Sequence, residues 1–305
     1  MPTLSVPTRL ALFGALLAVA FGAALGLGAL VDPTDGAPKP ADHGGMAAGH
    51  GTTGDAGHGD EASSGHGGEH AATAPGGLSA TQDGYRLVAD RTRFTAGDRT
   101  TFRFRIDGPD GRPVRSGYEL ESERELHLIV VRRDGRGFQH LHPRRAADGT
   151  WSVPLTVTSA GSHRVLADFV VGGVRRTLGL DVEAGGVYRP AAPATPSSVA
   201  TVDGYRVALD ANPPRAGTST PLFFRVTRGG RPVRDLQPYL GARGHLVALR
   251  EGDLAYLHVH PEEDAAPGDV PFAATFPSAG RYSLYLQFRV GGVVRTATFV
   301  TEVSR

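Results

Sequence analysis

No cysteine occurs in the 305 residues, which excludes thiolate metal ligands, disulfides, thiol nucleophiles and a lipid-modified N-terminal cysteine. Methionine is nearly absent too: Met1 and Met46 are the two instances, so thioether capture of Cu(I) is excluded from everything beyond residue 46. Charge of one sign is also missing, because 32 Lys and Arg are balanced by 31 Asp and Glu. Lys39 is the single lysine, and no basic run of the kind that grips phosphates is present, so no nucleic-acid partner is expected. Helical periodicity of useful length is lacking after residue 83, which points away from bundles and α/β folds.

One long apolar run is present. Leu10 to Val31 is 22 residues without a charge, closed by Asp32-Pro33. About 20 apolar residues span a bilayer as a helix, whereas a signal-peptide core has about 7–15. Residues 1–31 are therefore expected to be a signal anchor, or a signal peptide if cleaved. Arg9 keeps the short N-terminal side in the cytoplasm. The expected location is the cell membrane, single-pass, with the domains extracytoplasmic, or a secreted protein after cleavage. Residues 32–77 are rich in Gly, Ala, Asp, Ser and His and poor in large apolar side chains, so they are expected to form a disordered tether. His43, Met46, His50, His58, His66 and His70 stand in it, which suits weak, multivalent metal capture.

From Asp83 onward the chain repeats itself. Asp83-Gly-Tyr-Arg-Leu matches Asp203-Gly-Tyr-Arg-Val, Gly111-Arg-Pro-Val-Arg matches Gly230-Arg-Pro-Val-Arg, and Val171-Gly-Gly-Val matches Val290-Gly-Gly-Val. The offset stays between 118 and 120 residues, which marks a duplicated domain. The expected organisation is one repeat over 78–186, a Pro-rich linker over 187–198 and a second repeat over 199–305. Each copy carries alternating segments separated by Gly, Pro and Asp turns, about seven short strands, and this predicts two tandem immunoglobulin-like antiparallel β-sandwiches in an all-β protein. Since each copy has its own strands and turns, each is expected to fold independently.

The chemistry concentrates in a hairpin that occurs twice, from His127 to His142-Pro and from His245 to His260-Pro. With turns at Asp134-Gly135 and Gly252-Asp253, the pairs are 131 with 138, 129 with 140 and 127 with 142, then 249 with 256, 247 with 258 and 245 with 260. Strand side chains alternate between faces, so His127, His140 and His142 share one face, as do His245, His258 and His260. Opposed Cβ atoms lie about 4.5–5.5 Å apart, which lets three imidazoles converge on one ion. A lone strand histidine is ordinarily just a hydrogen-bonded residue; three in compatible positions suggest a metal site in at least one repeat. Imidazole-only sets suit Cu(II) or Zn. The Gly-Gly hairpin pairs Asp168 with Thr177 and Gln287 with Thr296, making Asp168 and Gln287 candidate fourth ligands, against the plainer reading of outward polar residues. His163 is read as surface or packing.

The His-Leu strand, the His-x-His-Pro hairpin, the Ser-Ala-Gly turns at 159–161 and 278–280 and the Gly-Gly hairpins resemble the YtkA-like and related immunoglobulin-like domains of bacterial exported proteins. That resemblance implies an anchored or secreted, non-enzymatic domain, in some members associated with copper or other heavy metals. The expected function is an extracytoplasmic, membrane-anchored metal-binding protein that buffers, carries or senses Cu or Zn, with the metal ion and the membrane as its partners and the protein partner open. The alternative is a non-catalytic interaction or structural module. A copper-dependent oxidoreductase is the lesser alternative, since no methionine ligand and no Ser/His/Asp arrangement are in view.

Overall fold

The computed structural model describes residues 75–262 and 265–305, and these contain strands and turns but no helix. Among the described residues no helix is long and apolar enough to cross a membrane. The run Leu10–Val31 and the histidines of the tether lie outside the described residues.

The first repeat contains β1 (Thr81–Gln82), β2 (Tyr85–Ala89), β3 (Arg93–Thr95), β4 (Arg99–Asp107), β5 (Tyr118–Glu119), β6 (His127–Arg132), β7 (Gln139–Leu141), β8 (Arg144–Arg145), β9 (Thr150–Thr156), β10 (Gly161–Val171) and β11 (Val174–Gly185). The second contains β12 (Val199–Val202), β13 (Tyr205–Asp210), β14 (Ser219–Arg228), β15 (Arg231–Pro232), β16 (Gly244–Arg250), β17 (Tyr256–Leu257), β18 (His260–Pro261), β19 (Asp269–Thr275), β20 (Gly280–Val290) and β21 (Val293–Val303). The count exceeds the expected seven per repeat because several short segments pair as separate strands of two or three residues.

Each repeat is a two-sheet sandwich. In the first, β1-β2-β4-β9-β8 faces β3-β11-β10-β6-β7, and in the second, β12-β13-β14-β19-β18 faces β17-β16-β20-β21. This is the immunoglobulin arrangement, with an A-B-E-D sheet against a sheet built on C, F and G. Each sandwich has its own core: Phe102, Phe104 and Trp151 lie in the first, and Phe224, Phe272 and Phe299 in the second.

A third apolar cluster joins the repeats. It contains Ile129, Val131 and Leu166 from the first and Val247, Leu249, Leu254, Tyr256 and Tyr285 from the second, with Phe138 packed against it. The period-2 geometry of β6 explains this: Leu128 and Val130 point into their own sandwich, while Ile129 and Val131 point at the other repeat. All six residues of β6 are consequently buried, and the strand reads as a continuous apolar run instead of an alternating one. In β16, Leu246 and Ala248 face inward and Val247 and Leu249 face the partner repeat. Phe138 stacks on Tyr285 with ring centroids 4.0 Å apart, and the Tyr285 hydroxyl donates to the Gly135 carbonyl at 2.8 Å.

Residues placed in the tether by sequence also take part. Tyr256 N–H of the second repeat donates to Gly76 O at 2.9 Å, and Gly77 N–H donates to Thr177 O of the first at 2.7 Å. This strap comes so close to β11 that a Cβ on Gly179 would collide with the carbonyl of Gly77.

Candidate metal centre between the repeats

The hairpins place their histidines much as strand geometry predicts near the turn and differently at the far end. Ile129 pairs with His140 and Leu249 with Tyr256, as expected. The ladders then stop: the β6–β7 pairing ends at Leu128 with Leu141, and His260 pairs with Ala273 of the opposite sheet instead of with His245. The return chain crosses from one sheet to the other at this point, so His142 and His260 sit at the sandwich edge.

His127, His140 and His142 nevertheless converge, and their ligand nitrogens all lie within 4.8 Å of one another. His127 Nδ1 stands 2.9 Å from His140 Nε2. His127 Nε2 donates to the Glu121 carbonyl at 2.9 Å, and His140 Nδ1 lies 2.6 Å from Gln287 Oε1 of the second repeat. His245, buried at the start of β16, lies over this group, its ring centroid 5.4 Å from His127 and 4.7 Å from His140. His258 and His260 face each other with centroids 4.8 Å apart, His260 being exposed. His258 Nδ1 is 3.7 Å from Asp168 Oδ2.

The two histidine triplets are not separate groups, one inside each repeat. The two histidine sets meet across the shared face, because 127, 129 and 131 on one strand and 245, 247 and 249 on the other point at each other. Asp168 and Gln287 are not outward polar residues either: Asp168 is fully enclosed and Gln287 is buried. Their expected pairings with Thr177 and Thr296 are present. Asp168 accepts from Thr177 Oγ1 at 2.8 Å and pairs with Arg175 at 3.1 Å. His163 is buried and turns its Nδ1 to the Gly161 carbonyl, a packing residue and not a surface one.

Burial dominates the titration of the site. Desolvation lowers the pKa of His127, and lowers that of His140 much further with the help of neighbouring imidazoles. His142 and His245 are each pushed down to about 3, again first by burial. For Asp168 burial acts upward, but the contacts with His258, Arg175 and Thr177 outweigh it and hold the carboxyl below its ordinary range. His127, His140, His142 and His245 are thus neutral imidazoles near one ion-paired carboxylate. Buried nitrogens without a hydrogen-bond partner include His142 Nε2, His245 Nε2 and His258 Nδ1.

Sequence reasoning did not find Glu121, whose carbonyl orients His127, nor Arg175, which bridges Asp168 and Glu121. A signal for Arg175 existed: where repeat 1 has Asp168 and Arg175, repeat 2 has Gln287 and Val294, so charge and countercharge change together.

Residues 80–186 and 200–305 each match the family described as "Domain of unknown function (DUF8832)". No curated protein matches the chain. Among solved structures, the Escherichia coli adhesin FdeC is 18% identical over 74% of this chain and 65% of its own, with a TM-score of 0.25. A Salmonella alpha-2-macroglobulin is 15% identical over 75% of this chain and 15% of its own, at 0.25. The bacterial integrin-binding protein invasin is 14% identical over 74% and 41%, at 0.22. The chain thus spans less than two thirds of each of these proteins, and overlap at such scores carries no argument about function.

Proposed function

Because the chain belongs to the DUF8832 family of domains of unknown function and carries two copies in tandem, its role has to be read from its own side chains, and we propose a non-enzymatic binding module that holds a divalent Cu or Zn ion in the histidine cluster between its domains. The observation that carries this reading is the pair of contacts flanking His127 and His140. A carbonyl oxygen only accepts, so Glu121 O requires the proton of His127 on Nε2 and leaves the lone pair on Nδ1. Gln287 Oε1 likewise requires the proton of His140 on Nδ1 and leaves its lone pair on Nε2. The two lone pairs then face each other 2.9 Å apart. Such a contact repels unless a cation lies between, and burial disfavours the proton.

A metal ion relieves the repulsion. Nitrogens held about 2.0–2.1 Å from one ion stand roughly 3 Å apart, which is the spacing of His127 Nδ1 and His140 Nε2. Outward N–H groups tied to fixed oxygens are the usual second layer around ligating histidines. The all-nitrogen donor set suits Cu(II) or Zn. In this reading the module works outside the membrane, held by residues 1–31 and a histidine-bearing tether.

The test is titration calorimetry on the full chain with Cu(II) and Zn. The tether histidines supply weak sites in any variant. Replacing His140 and His142 by Ala should remove one tight equivalent and leave the weak ones, whereas identical isotherms for the two proteins would overturn the proposal.

A second reading rests on the same contacts. If the Gln287 amide is turned end for end, Nε2 donates to His140 Nδ1, His140 Nε2–H donates to His127 Nδ1, and His127 Nε2–H donates to Glu121 O. Gln287, His140, His127 and the Glu121 carbonyl are then linked without an ion, while His142 Nε2 and His245 Nε2 stay unpartnered. The histidines become a polar lock between two immunoglobulin-like domains, and the chain is an interaction module. Proton-detected imidazole spectra of the metal-free protein separate the two, since this chain requires His140 to carry its proton on Nε2.

A further inference from the structure

We infer that His245 of the second repeat is a fourth ligand of the centre built by His127, His140 and His142, so that a single shared ion pins the two repeats together. This rests on the metal-binding reading above and goes beyond it in assigning one ion to both domains in place of one each.

Three observations carry the assignment. His245 lies parallel to His127, with 9° between the ring planes, and its centroid is nearer still to His140, at 4.7 Å. The Nε2 atoms of His245 and His142 are both buried and both lack a hydrogen-bond partner, one from each side of the interface. Buried polar atoms are ordinarily satisfied, and an unpartnered imidazole nitrogen on a ring 4.7 Å from His140 is a donor left available to a cation. The backbone also fixes where His245 stands. It pairs with Gln287, the residue that touches His140, and the preceding Gly244 has no space for a side chain: a Cβ there would meet Val270 Cγ1 at 2.7 Å and Gln287 O at 2.8 Å.

The other histidines do not complete a matching second centre. His258 and His260 lie against each other, and the carboxylate that His258 approaches, Asp168, is occupied by Arg175 and Thr177. The near-symmetry of the interface is broken where Asp168 replaces the Gln287 of the other half. One side keeps an ion pair and the other keeps neutral groups around the three converging imidazoles and His245. Ion binding and docking of the repeats then become one linked equilibrium, in which each stabilises the other.

The experiment compares the full chain with its His245→Phe variant, which retains an aromatic ring in the stack. Affinity for Zn and Cu(II) is measured by competition with a chelator, and amide hydrogen exchange is followed with and without Zn. The expected result is a loss of affinity beyond the roughly 10–100-fold that removal of a mere orienting partner costs, together with Zn-induced protection in both β6 and β16 of the wild-type chain. If His245→Phe binds with wild-type affinity while His140→Ala/His142→Ala does not, or if protection is confined to the first repeat, His245 is no ligand although the metal reading stands. If Zn alters exchange in neither repeat, the metal reading and this inference fail together. Should His245→Phe misfold, the wild-type exchange pattern still decides.

Discussion

The imidazole of His140 reaches out of the first repeat to the side-chain amide of Gln287 in the second, with 2.6 Å between Nδ1 and Oε1. Its near-symmetric counterpart, His258 toward Asp168, is longer at 3.7 Å and leaves the His258 nitrogen unpartnered. Replacing Gln287 by Leu keeps the volume close and strands the nitrogen of His140. The expected cost is roughly 1–3 kcal/mol, read as a lower denaturant midpoint with an unchanged slope. An unaltered midpoint would mean that the contact is not part of the apo interface.

Asp168 and Arg175 make a second prediction by comparison with the other repeat. Arg175→Val copies the residue at the matching position, Val294, but leaves a buried carboxylate without its cation. Breaking such a pair costs about 3 kcal/mol or somewhat less here, because Arg175 is 27% exposed. Adding Asp168→Gln, which completes the copy of the second repeat, should recover most of the loss. Additive effects of the two changes in a double-mutant cycle would show that the pair is uncoupled.

The strap formed by Gly76 and Gly77 predicts a steric effect. Gly179→Ala puts a methyl group against the Gly77 carbonyl, so the strap must lift and release its bonds to Thr177 and Tyr256. A destabilisation of about 1–3 kcal/mol is expected from overpacking. Faster exchange of the Gly77 and Tyr256 amides, with β14 unaffected, is the specific signature.

Acid should loosen the metal-free protein. His142 and His245 have folded-state pKa values of about 3 against an ordinary 6.5. As pH falls below 6.5 the unfolded chain takes up protons that the folded one refuses, so stability is complete above that value and declines between 6.5 and 3. The slope reaches about 1.4 kcal/mol per pH unit for each such histidine. Denaturation midpoints measured in chelator from pH 7.5 to 4.5 check this, and His245→Phe should flatten the curve.

The duplication, the sandwich architecture and the hairpin registers near each turn were legible in the sequence, because they depend on local spacing: the Gly-Gly turns alone place Asp168 opposite Thr177. What covers the far face of a strand does not follow from that spacing. The unbroken apolar character of Leu128 to Val131 hinted at burial on both sides, yet it could not say that the second layer was the other repeat. For the same reason the spacing does not show that the rings of His127 and His245 lie side by side, 5.4 Å apart. The strap was missed because Gly76 and Gly77 have no side chains to pattern and act through their backbone alone.

Thermal unfolding of the full chain with and without Zn tests the central claim most directly. Metal bound to the native state alone should add about 2.7 kcal/mol when free Zn is one hundred times the dissociation constant, seen as a higher melting temperature that His140→Ala/His142→Ala abolishes. An unchanged melting temperature in the wild-type chain, or an equal rise in the variant, would contradict a metal centre between the repeats.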